Sequence, residues 1–167
     1  ELWKLSYGAL GFSIVPRPVY GHGMIYFSTS FMRPEILAVR YSDSPTTKPY
    51  IAWRFSKQAP QKPSPLLVDD LLYFVGDKGG IATCLDARSG EIIWQERLGG
   101  NFSASPLLAD GKIFFCSHEG VTTVVAPGKE FTKLASNTLD GSLMASPAAV
   151  DHSLFLRTDQ ALYQIQK

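Results

Sequence analysis

At 167 residues the chain has the length of a single domain. Its composition, 45% hydrophobic and 19% charged, supplies a packed core and excludes a disordered chain. A formal net charge of +1 without a basic run excludes an electrostatic nucleic-acid footprint. The apolar stretches are far shorter than the roughly 20 residues of a membrane-spanning helix.

The chain opens at Glu1 without an initiator Met or signal segment, which reads as a processed, truncated or partial sequence. Glu1-Leu2-Trp3-Lys4-Leu5 is a short strand pattern. A first repeat follows near Pro18, with strands expected over 16–20, 24–30, 36–42 and 51–58. A Ser/Thr/Pro loop from Asp43 to Tyr50 is inserted before its fourth strand. The second repeat is the clearest, with strands over 65–69, 71–75, 81–86 and 91–98. Asp69-Asp70, Asp77-Lys78-Gly79-Gly80 and Ala87-Arg88-Ser89-Gly90 are its turns. The third repeat has strands over 105–109, 112–117, 121–125 and 131–139. The fourth supplies only 146–150, 153–158 and 161–166. No segment carries a helical period; the apolar spacing is twofold or continuous.

Pro65-Leu66-Leu67-Val68-Asp69-Asp70 recurs as Pro106-Leu107-Leu108-Ala109-Asp110-Gly111 and again as Pro147-Ala148-Ala149-Val150-Asp151-His152. The two intervals are each 41 residues. Several short strands per unit at that period are the signature of propeller blades. The expected fold is all-β, a β-propeller of about four four-stranded antiparallel blades in one domain, 1–167. The blades span roughly 16–58, 64–98, 105–139 and 146–166, the last completed by residues 1–7. One strand at the start and three at the end are complementary in phase. They lock a ring within one chain of four blades, or make this chain half of an eight-bladed ring formed by a second copy or a longer chain. The alternative reading is that Glu1–Leu5 finishes a blade that precedes residue 1.

The stretch Cys84-Leu85-Asp86-Ala87-Arg88-Ser89-Gly90-Glu91-Ile92-Ile93-Trp94 resembles the tryptophan-docking motif of quinoprotein-type propellers, Ala-x-Asp-x-x-Thr-Gly-Lys-x-x-Trp. Asp86, Gly90 and Trp94 are kept, and Ser89 replaces threonine. Cys84 and Glu91 depart from the pattern. Trp53 and Trp94 each stand 12 residues before the next repeat's proline, whereas the third repeat has Leu134-Ala135 there. Trp3, Trp53 and Trp94 are read as structural wedges between blades, with Asp86 and Gly90 shaping the turn.

The resemblance implies one of two things. Quinoprotein dehydrogenases of this type carry pyrroloquinoline quinone, calcium, an aspartate base and a disulfide between adjacent cysteines. Cofactor-free relatives include the propeller lipoprotein of the bacterial outer-membrane barrel-assembly machinery. Cys84 and Cys116 are not adjacent, and no Glu/Asn/Asp constellation suited to calcium is recognisable. The chain is placed with the cofactor-free scaffolds: no catalytic, cofactor or metal residue is assigned, and neither quinone nor calcium is expected. That resemblance implies a periplasmic or extracytoplasmic compartment.

The remaining polar candidates are weighed on spacing. His22, His118 and His152 fall in turns of separate repeats and read as solvated, with His118 on the rim opposite the other two. Ser64, Ser105 and Ser146 hold one equivalent position and read as partners for backbone groups, or as the rim of a ligand-binding channel. Cys84 and Cys116 read as buried small hydrophobes. The departures from repeat regularity are Phe31-Met32-Arg33-Pro34-Glu35 and the insertion ending at Tyr50. Phe31, Met32, Arg33 and Tyr50 are the candidate partner surface. The functional expectation is a non-enzymatic scaffold for a protein partner or a second copy. The alternatives are a fragment of a quinone-dependent dehydrogenase and a small-ligand or sugar-binding propeller.

Overall fold

The computed structural model describes residues 1–8, 12–42 and 47–166. Part of the Asp43–Tyr50 insertion, residues 43–46, lies outside them. Four antiparallel sheets follow one another along the chain. The first holds β1 (Val19–Gly21), β2 (Met24–Ser28), β3 (Ile36–Arg40) and β4 (Tyr50–Phe55). The second holds β5 (Leu66–Val68), β6 (Leu71–Val75), β7 (Ile81–Asp86) and β8 (Ile92–Arg97). The third holds β9 (Leu107–Ala109), β10 (Lys112–Cys116), β11 (Val121–Ala126) and β12 (Thr132–Thr138). The fourth has β13 (Ala148–Val150), β14 (Ser153–Arg157) and β15 (Leu162–Gln166). Each sheet is a meander with its three-residue strand innermost, and the chain is an all-β propeller of four blades. Each inner strand starts one residue after Pro18, Pro65, Pro106 or Pro147, where a residue lacking an N–H costs the ladder nothing.

The turns follow from residue type. His22-Gly23 and Asp110-Gly111 both take positive φ at the two central positions of two-residue hairpins, the conformation that matches strand twist. Three blades share a bulge at one place, between Ala38 and Val39, Cys84 and Leu85, and Val124 and Val125. Each lies beside the outer-strand residue paired with the first member: Trp53, Trp94 and Ala135. A bulge re-aims a side chain, and here it tips the indole toward the next blade.

The core lies between blades. Met24, Tyr26, Ile36 and Ala38 meet Leu72, Phe74 and Leu85 across the first interface. Tyr73, Val75, Cys84 and Trp94 meet Ile113, Phe115 and Val125 across the second. Cys116 meets Leu156 and Leu143 across the third, with Leu154 and Tyr163 packed against them. Alternate residues of each central strand thus serve alternate interfaces. Burying a side chain such as Phe74 or Phe115 stabilises the fold by roughly 1.5–3 kcal/mol.

Residues 1–7, expected as the fourth strand of the last blade, form no strand and do not pair with β15 in this chain. Trp3, Leu5 and Tyr7 lie instead on Ile25, Phe27 and Val39, the face of the first blade turned away from the second. Trp3 stacks on Tyr41, ring centroids 6.2 Å apart. The physical reason is that four wedges leave the arc open. The far face of the last blade is uncovered, with Leu162 69% and Val150 57% exposed. Residues 1–7 therefore do not close a four-bladed ring against β15 within this chain.

Candidate functional site

Chain direction alternates from strand to strand, so the β2–β3, β4–β5, β6–β7, β8–β9 and β10–β11 connections gather at one rim. The β2–β3 connection is the most elaborately braced. Thr29 N–H donates to the Glu35 carbonyl at 2.9 Å, and Thr29 Oγ1 donates to the Arg33 carbonyl at 2.8 Å while accepting from Glu35 N–H at 2.9 Å. The Ser28 hydroxyl donates to the Pro60 carbonyl, and that of Ser30 is shared between the carbonyls of Gln61 and Ser13. Arg54 ties the loop's end through Glu35 at 2.9 Å and reaches the Tyr7 carbonyl at 3.0 Å.

This bracing holds Ser30 at φ 60° and Met32 at φ 75°, conformations that L-residues adopt at a cost of roughly 1–2 kcal/mol each. The outcome is an outward display: Phe31 is 48% and Met32 67% exposed. Phe12 meets Phe31 edge-on with centroids 5.3 Å apart. Arg33 is exposed on the same loop. Tyr50 opens β4 opposite Arg40, at the other end of the blade. The structure brings Phe31, Met32 and Arg33 together and leaves Tyr50 on the far rim.

Beside this loop the rim sinks into a cavity of about 460 Å³ bounded by Pro34, Lys62, Asp77, Lys78, Asn101 and His118. Asp77 anchors its floor. Its Oδ2 accepts the Gln61 N–H, and its carbonyl accepts Phe102 N–H at 2.8 Å. His118 N–H bonds the Asn101 carbonyl at 2.8 Å, and its Nε2 lies 2.8 Å from Ser103 Oγ. No carboxylate among the described residues bonds His118, so this Ser–His pair lacks the group that orients a catalytic imidazole. Asp77 and Lys62 were not singled out in the sequence. The available signal was positional, since Asp77, His118 and Asp159 each stand two residues beyond their blade's second strand.

The other polar candidates have structural partners. Arg17 N–H donates to Ser64 Oγ, Ser64 N–H to Ser105 Oγ, and Ser105 N–H to Ser146 Oγ, each at 2.9 Å. The serines thus form a ladder from blade to blade along the central channel, about 770 Å³ in volume. The reading of His22 as solvated is corrected: its side chain is 11% exposed, and Nε2 pairs with Asp70 of the next blade at 3.0 Å. Asp70 projects from the neighbouring inner hairpin, which turn composition alone does not reveal. Cys84 and Cys116 are buried free thiols.

Trp53 donates its indole N–H to the Ala87 carbonyl at 3.0 Å, and its ring covers Gly90 at φ 77°. Asp86 shapes that turn by accepting from Ser89 N–H at 2.9 Å, Arg88 N–H at 3.0 Å and the Ser89 hydroxyl at 3.1 Å. These bonds hold its carboxyl below the usual carboxylate range, the Ser89 backbone bond contributing most, against the opposing effect of burial.

Comparison with known proteins places this architecture. A family model described as outer membrane protein assembly factor BamB matches residues 38–158. No curated protein matches the chain in sequence. The crystal structure of BamB from Moraxella catarrhalis superposes with a TM-score of 0.68 at 12% identity, over 90% of this chain and 42% of that one. A europium-containing methanol dehydrogenase gives 0.62 at 17% identity, over 83% of this chain and 27% of that one. The computationally designed Ika4 protein gives 0.73 at 8% identity, over 99% and 97% respectively. The chain thus spans less than half the length of the BamB structure, and at these identities the likeness is one of fold.

Proposed function

Because the chain belongs to the family of outer membrane protein assembly factor BamB, we propose that it is a non-catalytic propeller module that holds a protein partner. The partner sits on the rim that displays Phe31, Met32 and Arg33, and the module works on the extracytoplasmic side of a bacterial membrane. The observation that carries this is the braced β2–β3 loop. Backbone strain at Ser30 and Met32 is maintained by hydrogen bonds made by the side chains of Ser28, Thr29, Ser30, Glu35 and Arg54, and what it produces is an exposed apolar pair. Apolar and Arg side chains on a preorganised loop are the ordinary material of interface anchors. Among the described residues no helix is long and apolar enough to cross a membrane.

This reading assigns the module neither a quinone nor a cation. Cys84 packs between the second and third blades and Cys116 between the third and fourth, so they cannot form one disulfide face against a planar ring. Among the described residues no three His, Cys, Asp or Glu side chains converge as ligands. No redox step is derived for this chain.

A second copy completes the arc in this reading. Trp3 meets Tyr41, just past β3, as Trp53 meets Ala87 just past β7. Glu1–Tyr7 therefore takes the place of an outer strand from a preceding blade, and the free edge of β15 offers that strand its ladder. The partner surface is tested by placing a photo-crosslinking residue at Met32 and, separately, at His152 on the opposite rim, in cells expressing the chain. The expected result is one discrete adduct from position 32, abolished by Phe31→Asp, and none from 152. Equal labelling at both positions, or none at 32, refutes the surface.

A further inference from the structure

Asp77 leaves one requirement of the rim cavity unmet. Its side chain is only 10% exposed, and Oδ1 is buried without a hydrogen-bond partner. The Lys62 ammonium stands 3.7 Å from that oxygen, beyond hydrogen-bonding distance. Buried carboxylate oxygens are ordinarily satisfied, so this one asks for a donor from outside the chain.

The geometry points to a saccharide site, entered by a hydroxyl that sits between Lys62 and Asp77. A small outward shift of the half-exposed Lys62 side chain, now 3.7 Å from the buried Oδ1, admits one oxygen about 2.8 Å from both groups. That atom must accept from the ammonium and donate to the carboxylate. A hydroxyl does both. An amide N–H cannot accept, a carbonyl or carboxylate cannot donate, and an ammonium would bring a second cation against Lys62. The surrounding walls extend the same chemistry. Lys78, Asn101 and His118 offer further polar groups to neighbouring hydroxyls, while Pro34 gives an apolar edge for the C–H face of a ring. A sugar presents several hydroxyls on a preorganised frame and meets these groups without the ordering cost of a flexible polyol. Phe31 and Met32 do not line the cavity, so this inference stands apart from the protein-partner reading.

The test is saturation-transfer NMR and calorimetry on the 167-residue chain with methyl glucoside, methyl galactoside, methyl mannoside and tri-N-acetylchitotriose. At least one probe is expected to bind with a millimolar or tighter Kd. Binding should weaken about tenfold or more in both Asp77→Asn and Lys62→Met. Lys62→Met leaves the Gln61–Asp77 bond in place, so loss of binding at an unchanged melting temperature isolates the hydroxyl contact. His152→Ala, on the opposite rim, should bind as the parent does. The inference is overturned if no probe binds, which leaves water as the occupant, or if both cavity variants bind undiminished.

Discussion

Trp94 donates its indole N–H to the carbonyl of Gly128 at 3.1 Å, one blade ahead in the chain. Tyr73 secures the same residue, its hydroxyl accepting Gly128 N–H at 2.8 Å. The indole also meets Phe131 edge-on at 5.2 Å. One side chain thus joins the second blade to the third through a hydrogen bond, an aromatic pair and a buried surface. Trp94→Ala is expected to destabilise the chain by roughly 3–5 kcal/mol in denaturant melts, the range for truncating a large buried aromatic. A loss under about 1 kcal/mol would mean the indole is not an inter-blade wedge.

Two glycines separate conformational strain from close packing. Gly90 and Gly111 both have positive φ, but a Cβ on Gly90 would stand 2.7 Å from the Trp53 ring, whereas one on Gly111 meets nothing within 4 Å. Gly111→Ala should cost about 1–2 kcal/mol, the left-handed penalty alone. Gly90→Ala should add about 1–3 kcal/mol for displacing the indole. Equal losses in the two variants contradict the docking of Trp53 on this turn.

Much of the fold was legible because each repeat writes its blade in local terms: a proline before the inner strand and a two-residue turn after it, joined in the second and third repeats by a glycine before the outer strand. The position of Trp53 over Gly90 was not legible, since nothing local says which blade an indole leans toward; the bulge between Ala38 and Val39 decides it. The Asp77 cavity was missed for a similar reason. Asp77 looked like a turn residue, and its partners Gln61 and Lys62 arrive from the preceding inter-blade loop. The placement of Trp3 on the first blade rather than beside β15 depends on where the arc leaves off, a property of the wedge angle and not of any motif.

Acid should act through Asp86. Its folded carboxyl titrates below its ordinary value because the Ser89 and Arg88 groups stabilise the anion. A depressed folded pKa contributes stability that is present above the unfolded value, near 3.9, and is lost as pH falls through the folded one. Urea midpoints between about pH 6 and pH 3 should therefore fall more steeply in the parent than in Asp86→Ala. Parallel curves would show that the turn draws nothing from the anion.

The thiols should be silent in the folded state. Burial pushes Cys84 up to about 12 and raises Cys116 as well, so almost no thiolate is present at mildly alkaline pH. Ellman's reagent at about pH 8 is expected to label neither cysteine natively and both in denaturant. Rapid native labelling of either would place it outside the inter-blade core.

The claim on which the assembly rests is that four blades form an open arc whose last face is covered by the first blade of another copy. Multi-angle light scattering on the isolated 167-residue chain tests it most directly. The expected mass is twice 18.4 kDa, falling to the monomer value in Trp3→Glu, which expels the outer-strand segment from Tyr41. A sharp 18.4 kDa species that unfolds cooperatively, unchanged by Trp3→Glu, would contradict it.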